Sequence, residues 1–163
     1  MFRTVFNGAA IVSSLRDAQA RLSNMTPVYE DIGELLIDRT KSRFRTGTAP
    51  DGSAWAPKRP ATLERYRRAG DGLLPHPLIG PSKRLGNEIA KLANADGVEV
   101  GSNLEYSGVM QGGAAKGAFG ADGRGRPIPW GNIPARVWLG ISDQDERDIL
   151  DIVDEHLQGA LAT

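Results

Sequence analysis

The stretch FRTGTAPDGSAWAPKRPATLERYRR, residues 44–68, redirects the chain at the end of a long predicted helix. That helix is predicted to end at Gly47. Pro50-Asp51-Gly52 then favours a tight turn, because proline presets φ and glycine tolerates conformations that other residues avoid. We expect Trp55 to bury its ring and to fix the returning segment to the core. A short helix is predicted over residues 60–68. The main role expected for this stretch is therefore structural, since it turns the chain and anchors it to the core.

Two helices are predicted before this stretch. Apolar residues at spacings of three and four indicate a first helix over residues 9–24, with its apolar seam facing the core. Thr26 is predicted to cap a second helix, with Pro27 at its first helical position. Cations near the end of the second helix complement its dipole at roughly 0.3–1 kcal/mol each. The seam consists of Ile11, Leu15, Ala18, Leu22 and Met25, and the cations are Arg39, Lys41, Arg43 and Arg45. A short strand is also predicted over residues 2–6.

An antiparallel hairpin is predicted after the stretch, with arms at residues 89–93 and 98–101. Asn94-Ala95-Asp96-Gly97 supplies its turn, since Asp-Gly is a strong hairpin signal. Leu85, Ile89 and Leu92 also have helical spacing, so a helix is the alternative for the first arm.

Three further segments complete the chain. A short helix over residues 103–111 is predicted to carry Tyr106 and Met110 inward. Residues 112–125 are rich in glycine and are predicted to form a mobile loop, because they bury too little apolar surface to offset the entropy of ordering. An extended segment over residues 134–140 leads into a last helix, where Ser142 and Asp145 have the spacing of a capping box.

These elements predict one α+β domain over residues 1–163. Two N-terminal helices and a C-terminal helix are expected to pack on a small, mainly antiparallel β-sheet with a long Gly-rich loop. The chain has 163 residues, a length that suits a single hydrophobic core.

Composition narrows the class of protein. Twenty Lys and Arg residues balance twenty Asp and Glu residues, and dedicated nucleic-acid binders usually carry a basic excess. Cysteine is absent, which removes disulfides and thiolate chemistry. Neither a signal peptide nor an apolar run of about 20 residues is evident, so we expect a soluble protein in the host cytoplasm without a membrane partner.

Few residues are arranged for chemistry. His76 and His156 are the only histidines, and the sequence has no G-x-S-x-G, P-loop or H-E-x-x-H motif. His156 stands among acidic residues but borders an apolar stripe, which favours a histidine at the edge of the core over a metal ligand. We therefore expect no catalytic residue, no metal site and no cofactor.

A local basic cluster has three interpretations. Trp55 and Tyr66 alternate with its cations, so it could bind single-stranded nucleic acid by stacking and charge. It could instead be a solvated surface, or a cationic rim that meets the acidic C-terminal helix of a neighbouring copy. The cluster consists of Lys58, Arg59, Arg65, Arg67 and Arg68, followed further along by Lys83 and Arg84.

Three ordered motifs resemble the phage virion morphogenesis family. The first is TGTAPDGSAWAPKRPATL, the second GVEVGSNLEYSGVMQGG and the third IPARVWLGISDQDERDIL. The matching positions of the first are Phe44, Gly47, Pro50, Asp51, Gly52, Trp55, Pro57, Pro60, Thr62 and Leu63. Those of the second are Val100, Gly101, Ser102, Asn103, Tyr106, Gln111 and Gly113. The chain departs from the family pattern at two places. The family often has an Asp-Thr-Gly-like turn where this chain has Gly80-Pro81-Ser82, and it often has histidine where this chain has Met110.

The resemblance implies a structural virion protein rather than an enzyme. Such a protein completes the tail or joins tail to head, as a ring around the DNA channel, here a possible hexamer. Its expected partners are copies of itself, other neck and tail proteins, and DNA through non-specific contacts. The alternatives are a tail terminator and a small single-strand-binding module. Residues expected at interfaces are Arg65, Arg67, Arg68, Lys83, Arg84, Phe119, Arg124, Arg126, Arg136 and Trp138, with a core position as the alternative for Trp138. Gly47, Pro50, Asp51, Gly52, Trp55 and Tyr106 are expected to be structural anchors.

Overall fold

The computed structural model describes residues 8–161 and has the predicted α+β arrangement. The strand predicted over residues 2–6 lies outside the described residues. In chain order the elements are α1 (Ala9–Leu22), α2 (Thr26–Thr46), α3 (Pro60–Ala69), α4 (Arg84–Asn87), β1 (Ala90–Ala93), β2 (Val98–Gly101), α5 (Ser107–Gly112) and α6 (Asp143–Leu161). No helix within residues 8–161 combines the length and the apolar character needed to cross a bilayer.

Helix α2 is the central element of the fold, and it packs against α6, β1, β2 and α4. It ends as predicted at Gly47, whose φ of 74° is left-handed and whose amide donates to the carbonyl of Arg43 at 2.7 Å. The start differs from the prediction. Thr26 is the first helical residue rather than the cap, and Met25 occupies the capping position without a side-chain hydrogen bond.

Strands β1 and β2 form the predicted antiparallel hairpin, with Ala90 opposite Gly101 and Ala93 opposite Val98. The strand interpretation of the first arm is therefore confirmed. Gly33 of α2 lies against the hairpin, since a Cβ there would stand 2.6 Å from Cδ of Lys91. Glycine thus allows the helix and the hairpin to approach closely.

Three aromatic rings from distant segments form the centre of the core. The ring of Phe44 lies 5.5 Å from that of Trp55 and 5.9 Å from that of Trp138, measured between centroids. The indole nitrogen of Trp55 donates to the carbonyl of Val137 at 2.9 Å. Since edge-on aromatic pairs add to the burial of apolar area, these rings join α2 to two segments that lack regular secondary structure.

The turn before Trp55 has the predicted form. Gly52 has a φ of 80° and donates its amide to the carbonyl of Ala49 at 2.9 Å. The carboxylate of Asp51 accepts from the amide and the hydroxyl of Ser53, at 2.9 and 2.6 Å. These hydrogen bonds lower the pKa of Asp51, with the hydroxyl of Ser53 making the larger contribution.

Helix α6 begins with the predicted capping box. The amide of Ser142 donates to the carboxylate of Asp145 at 2.8 Å, and the amide of Asp145 donates to the hydroxyl of Ser142 at 3.2 Å. Asp145 also makes a second contact that was not predicted. This carboxylate is only 1% exposed and forms an ion pair with the buried guanidinium of Arg43, which also donates to the carbonyl of Gly140 at 2.6 Å.

Two predictions of buried positions were wrong. Tyr106 is 39% exposed and precedes α5, whereas Met110 packs against the core as predicted. In α1, Ala18 is buried but Leu15 is 60% exposed, so the first half of the seam does not face the core. Helix α1 packs against α6, and Ile11 and Val12 in the same half of α1 are also 50% and 47% exposed.

Residues 112–125 are not an isolated loop in the structure. The amide of Ala114 donates to the carbonyl of Ile133 at 2.9 Å, and that of Phe119 donates to the carbonyl of Ile128 at 2.7 Å. The segment therefore forms an irregular, hydrogen-bonded arm together with residues 126–133. Its mobility stays a prediction.

Candidate docking surface

A groove lies between α3 and the segment over residues 129–134, and we call it the basic groove. It has a volume of about 390 Å³, within the range usual for binding clefts. Its apolar lining includes Tyr66, Met110, Trp130 and Ile133, and its cations are Lys58, Arg59, Arg65 and Arg136. Three of these cations belong to the cluster predicted from the sequence, whereas the opposite wall, which is distant along the chain, was not predicted.

The α3 side of the groove is organised around Tyr66. The ammonium of Lys58 lies 4.9 Å from the centre of the Tyr66 ring, and the guanidinium of Arg65 lies 5.4 Å from it. Lys58 also donates to the carbonyls of Leu74 and Ile79, at 2.7 and 2.5 Å. Lys58 is thus held in place, while Arg65 is exposed at the rim.

The opposite wall is held by arginines that bind backbone. Arg136 is buried and donates to the carbonyls of Ala56 and Pro57, at 2.7 and 3.2 Å. Arg59 donates to the carbonyl of Asn132 at 2.9 Å, which joins the start of α3 to the far wall. Trp130 is 77% exposed at the edge, an unusual position for so large an apolar side chain.

The basic groove carries positive charge that no acidic residue in its lining offsets. None of its lining residues is Asp or Glu, and none of its four cations forms an ion pair within residues 8–161. Burial lowers the pKa of Lys58, and the positive charge of Arg136 lowers it further. Burial also lowers the pKa of Arg136. An occupant with carboxylates would therefore gain favourable electrostatic energy.

Several other predicted interface cations are paired within the chain. Arg67 and Arg68 both bind Glu64 at 2.8 Å, which lowers the pKa of that carboxyl. Arg84 pairs with Glu88 at 2.6 Å, and Arg126 pairs with Asp122 at 2.7 Å. These ion pairs are largely exposed and therefore contribute little to stability. The pairs of Arg84 and Arg126 are locally neutral, whereas Arg67 and Arg68 share one carboxylate and keep one positive charge between them. Lys83, Arg124 and Phe119 are exposed, and their role at an interface stays a prediction.

Trp138 and Arg136, which were also expected at an interface, are both buried, and their role at an interface stays a prediction. Trp138 is 3% exposed in the aromatic core, which agrees with the alternative stated for it. Its amide and that of Leu139 donate to the side-chain oxygen of Gln111, at 2.9 and 3.1 Å. The side-chain amide of Gln111 donates in turn to the carbonyl of Leu139 at 2.8 Å. The side chain of Gln111 thus supplies hydrogen bonds to the backbone of Trp138 and Leu139, as a neighbouring strand would in a sheet.

Helix α6 exposes a face of opposite charge. Asp143, Glu146, Leu150 and Asp154 recur at spacings of three and four, and we call them the acidic face. All four are exposed, and Leu150 is 58% exposed between two carboxylates. No α6 residue lines the basic groove, so the two surfaces are separate on one copy of the chain. Among residues 8–161, no cluster of three or more His, Cys, Asp or Glu side chains is placed to hold a metal ion.

Comparison with known proteins agrees with the motif order in the sequence. The pattern of the phage virion morphogenesis family matches residues 7–158, and the chain belongs to this family. It is also 26% identical over 152 residues to the Mu-like prophage FluMu G protein 2 of Haemophilus influenzae, an alignment that covers 93% of this chain and 92% of the relative. No solved structure gives a significant match. A role in the structure or morphogenesis of a phage virion follows from the family.

Proposed function

We propose that this protein completes the phage tail or joins the tail to the head, as a ring of copies around the DNA channel. The observation that carries the proposal is the family match over residues 7–158, together with a prophage relative of nearly equal length. The proposed role needs no catalysis, and it requires surfaces that bind other proteins.

The structure supports this proposal through its exposed apolar residues. Trp130 and Phe119 lie on the arm over residues 112–133, and Leu15 lies on α1. Large apolar side chains at the surface contribute to binding other proteins where they lie together. Such surfaces fit a protein that acts within an assembly and has its partners in the virion.

The experiment is deletion of the gene from the phage or prophage that carries it, followed by electron microscopy of the lysate. We expect full heads and unattached tails, and we expect the wild-type gene supplied in trans to restore joined particles. Infectious particles of normal appearance from the deletion strain would refute the proposal.

The alternative role of tail terminator is separated from this one by position. A cryo-EM map of the intact particle would place a terminator directly on the last ring of the tail tube. Density for this chain between that ring and the head would support the joining role.

A further inference from the structure

The basic groove has the chemistry of a receptor for an acidic helix with one apolar side chain. Its rim carries Arg59 and Arg65, and its floor includes Met110 and Ile133. The lining contains no carboxylate, so charge complementarity must come from outside the groove.

The acidic face of α6 has the matching pattern. Leu150 projects between Glu146 and Asp154, which stand four residues before and after it. Residues at this spacing lie one turn apart on the same side of a helix. An apolar residue between two carboxylates corresponds to an apolar floor between cations. Arg147 also lies within one turn of Leu150, where it donates to the side-chain oxygen of Gln144 at 2.8 Å.

We propose that the acidic face of one copy docks in the basic groove of the next, with Leu150 on the groove floor and its flanking carboxylates near Arg59 and Arg65. The two surfaces are distinct on each copy, so the contact is head to tail and generates a closed ring or an open chain. This inference rests on the proposed ring, and it assigns the surfaces that would form it.

The absence of native cysteine makes the contact directly testable by disulfide trapping. Ala61 is exposed in the groove lining, and Leu150 is the centre of the acidic face. Purified full-length Ala61→Cys and Leu150→Cys variants are mixed and mildly oxidised. One of them carries an affinity tag, so that the mixed dimer and the two homodimers differ in size. A disulfide requires Cβ atoms within about 3.5–4.5 Å, so it reports close approach.

We expect the mixed disulfide to form on the order of tenfold faster than either homodimer, because only the mixed pair is held in register by charge and apolar contact. The Ala61→Cys/Leu150→Cys double variant should give a ladder of oligomers that ends at one closed size. Ala69→Cys is the matched control, since Ala69 is exposed on α3 but does not line the groove. It should form no mixed product above background.

Charge reversal tests the electrostatic part of the same contact, with the same pair of thiols as the readout. Arg65→Glu in the Ala61→Cys chain should slow trapping by about tenfold, and Asp154→Arg in the Leu150→Cys chain should restore it. Equal yields from Ala61→Cys and Ala69→Cys, or no mixed product at all, would overturn the proposal.

A nucleic-acid occupant gives a different result. Binding of a labelled oligothymidine by the wild-type chain, abolished by Arg65→Glu, in the absence of mixed disulfides would assign the groove to single-stranded DNA instead. The deletion phenotype is independent of trapping. Failed trapping beside separate heads and tails refutes the head-to-tail contact alone, whereas normal particles refute the proposed function.

Discussion

Replacement of Asp145 by alanine should destabilise the fold more than any other alanine substitution in α6. Asp145→Ala leaves the buried guanidinium of Arg43 without its carboxylate, and loss of one partner of a buried pair costs about 3–5 kcal/mol. It also removes the acceptor for the amide of Ser142, and loss of a helix cap costs about 1 kcal/mol. Together these losses give roughly 4–6 kcal/mol, a large part of the usual stability of a domain.

The assay is urea unfolding followed by circular dichroism, with the free energy of unfolding taken from the midpoint and slope. Asp143→Ala is the matched control, because Asp143 is exposed in the same turn, and it should change stability by about 0.5 kcal/mol or less. The Arg43→Met/Asp145→Ala double variant should be more stable than the sum of the single losses predicts, since it removes the uncompensated charge. A loss below about 1 kcal/mol for Asp145→Ala, or strict additivity in the double variant, would refute the reasoning.

Three further predictions concern the aromatic core, the arm and stability at low pH. Trp55→Ala should cost about 3–5 kcal/mol in urea unfolding, whereas the exposed Trp130→Ala should cost about 0.5 kcal/mol or less, and equal losses would contradict the core assignment. Gly113→Ala should cost roughly 2–4 kcal/mol, because its φ is 73° and a Cβ would stand 2.7 Å from the amide of Ala135. Gly112→Ala, where a Cβ meets nothing within 4 Å, should be nearly neutral by the same measurement. The urea concentration at the unfolding midpoint should be lower at about pH 3 than at about pH 7, because hydrogen bonds and ion pairs lower the pKa values of carboxyls in the folded chain. Their stabilising effect is complete above the ordinary values of 3.8 for Asp and 4.5 for Glu and is lost as pH falls through the folded values, so a constant midpoint would contradict it. These carboxyls belong to Asp51, Glu64, Glu88, Asp122 and Asp148.

Local signals in the sequence predicted much of the secondary structure. Asp96-Gly97 located the hairpin turn, and Gly47 located the end of α2, because both depend on backbone conformations that few residues adopt. Ser142 and Asp145 located the start of α6 through contacts three residues apart. Such features need no knowledge of the rest of the chain.

Several features that depend on distant contacts were not predicted. Arg43 was grouped with other cations that complement a helix dipole, yet it pairs with a carboxylate 102 residues away. The basic groove likewise depends on segments separated by the hairpin and α5. Charge pattern alone could not tell Arg65, which has no ion pair within residues 8–161, from Arg67 and Arg68, which share Glu64.

The link between Arg43 and Asp145 also bears on when the chain can fold during synthesis. Helix α2 leaves the ribosome well before the carboxylate that compensates its buried cation has been made, and contacts of such sequence separation form slowly. In an incomplete chain the guanidinium of Arg43 has no carboxylate to pair with, so its burial is unfavourable and this part of α2 stays in contact with water. We expect the core to form only after α6 has been synthesised. Chains truncated before α6 would then not fold and would not enter virion assembly.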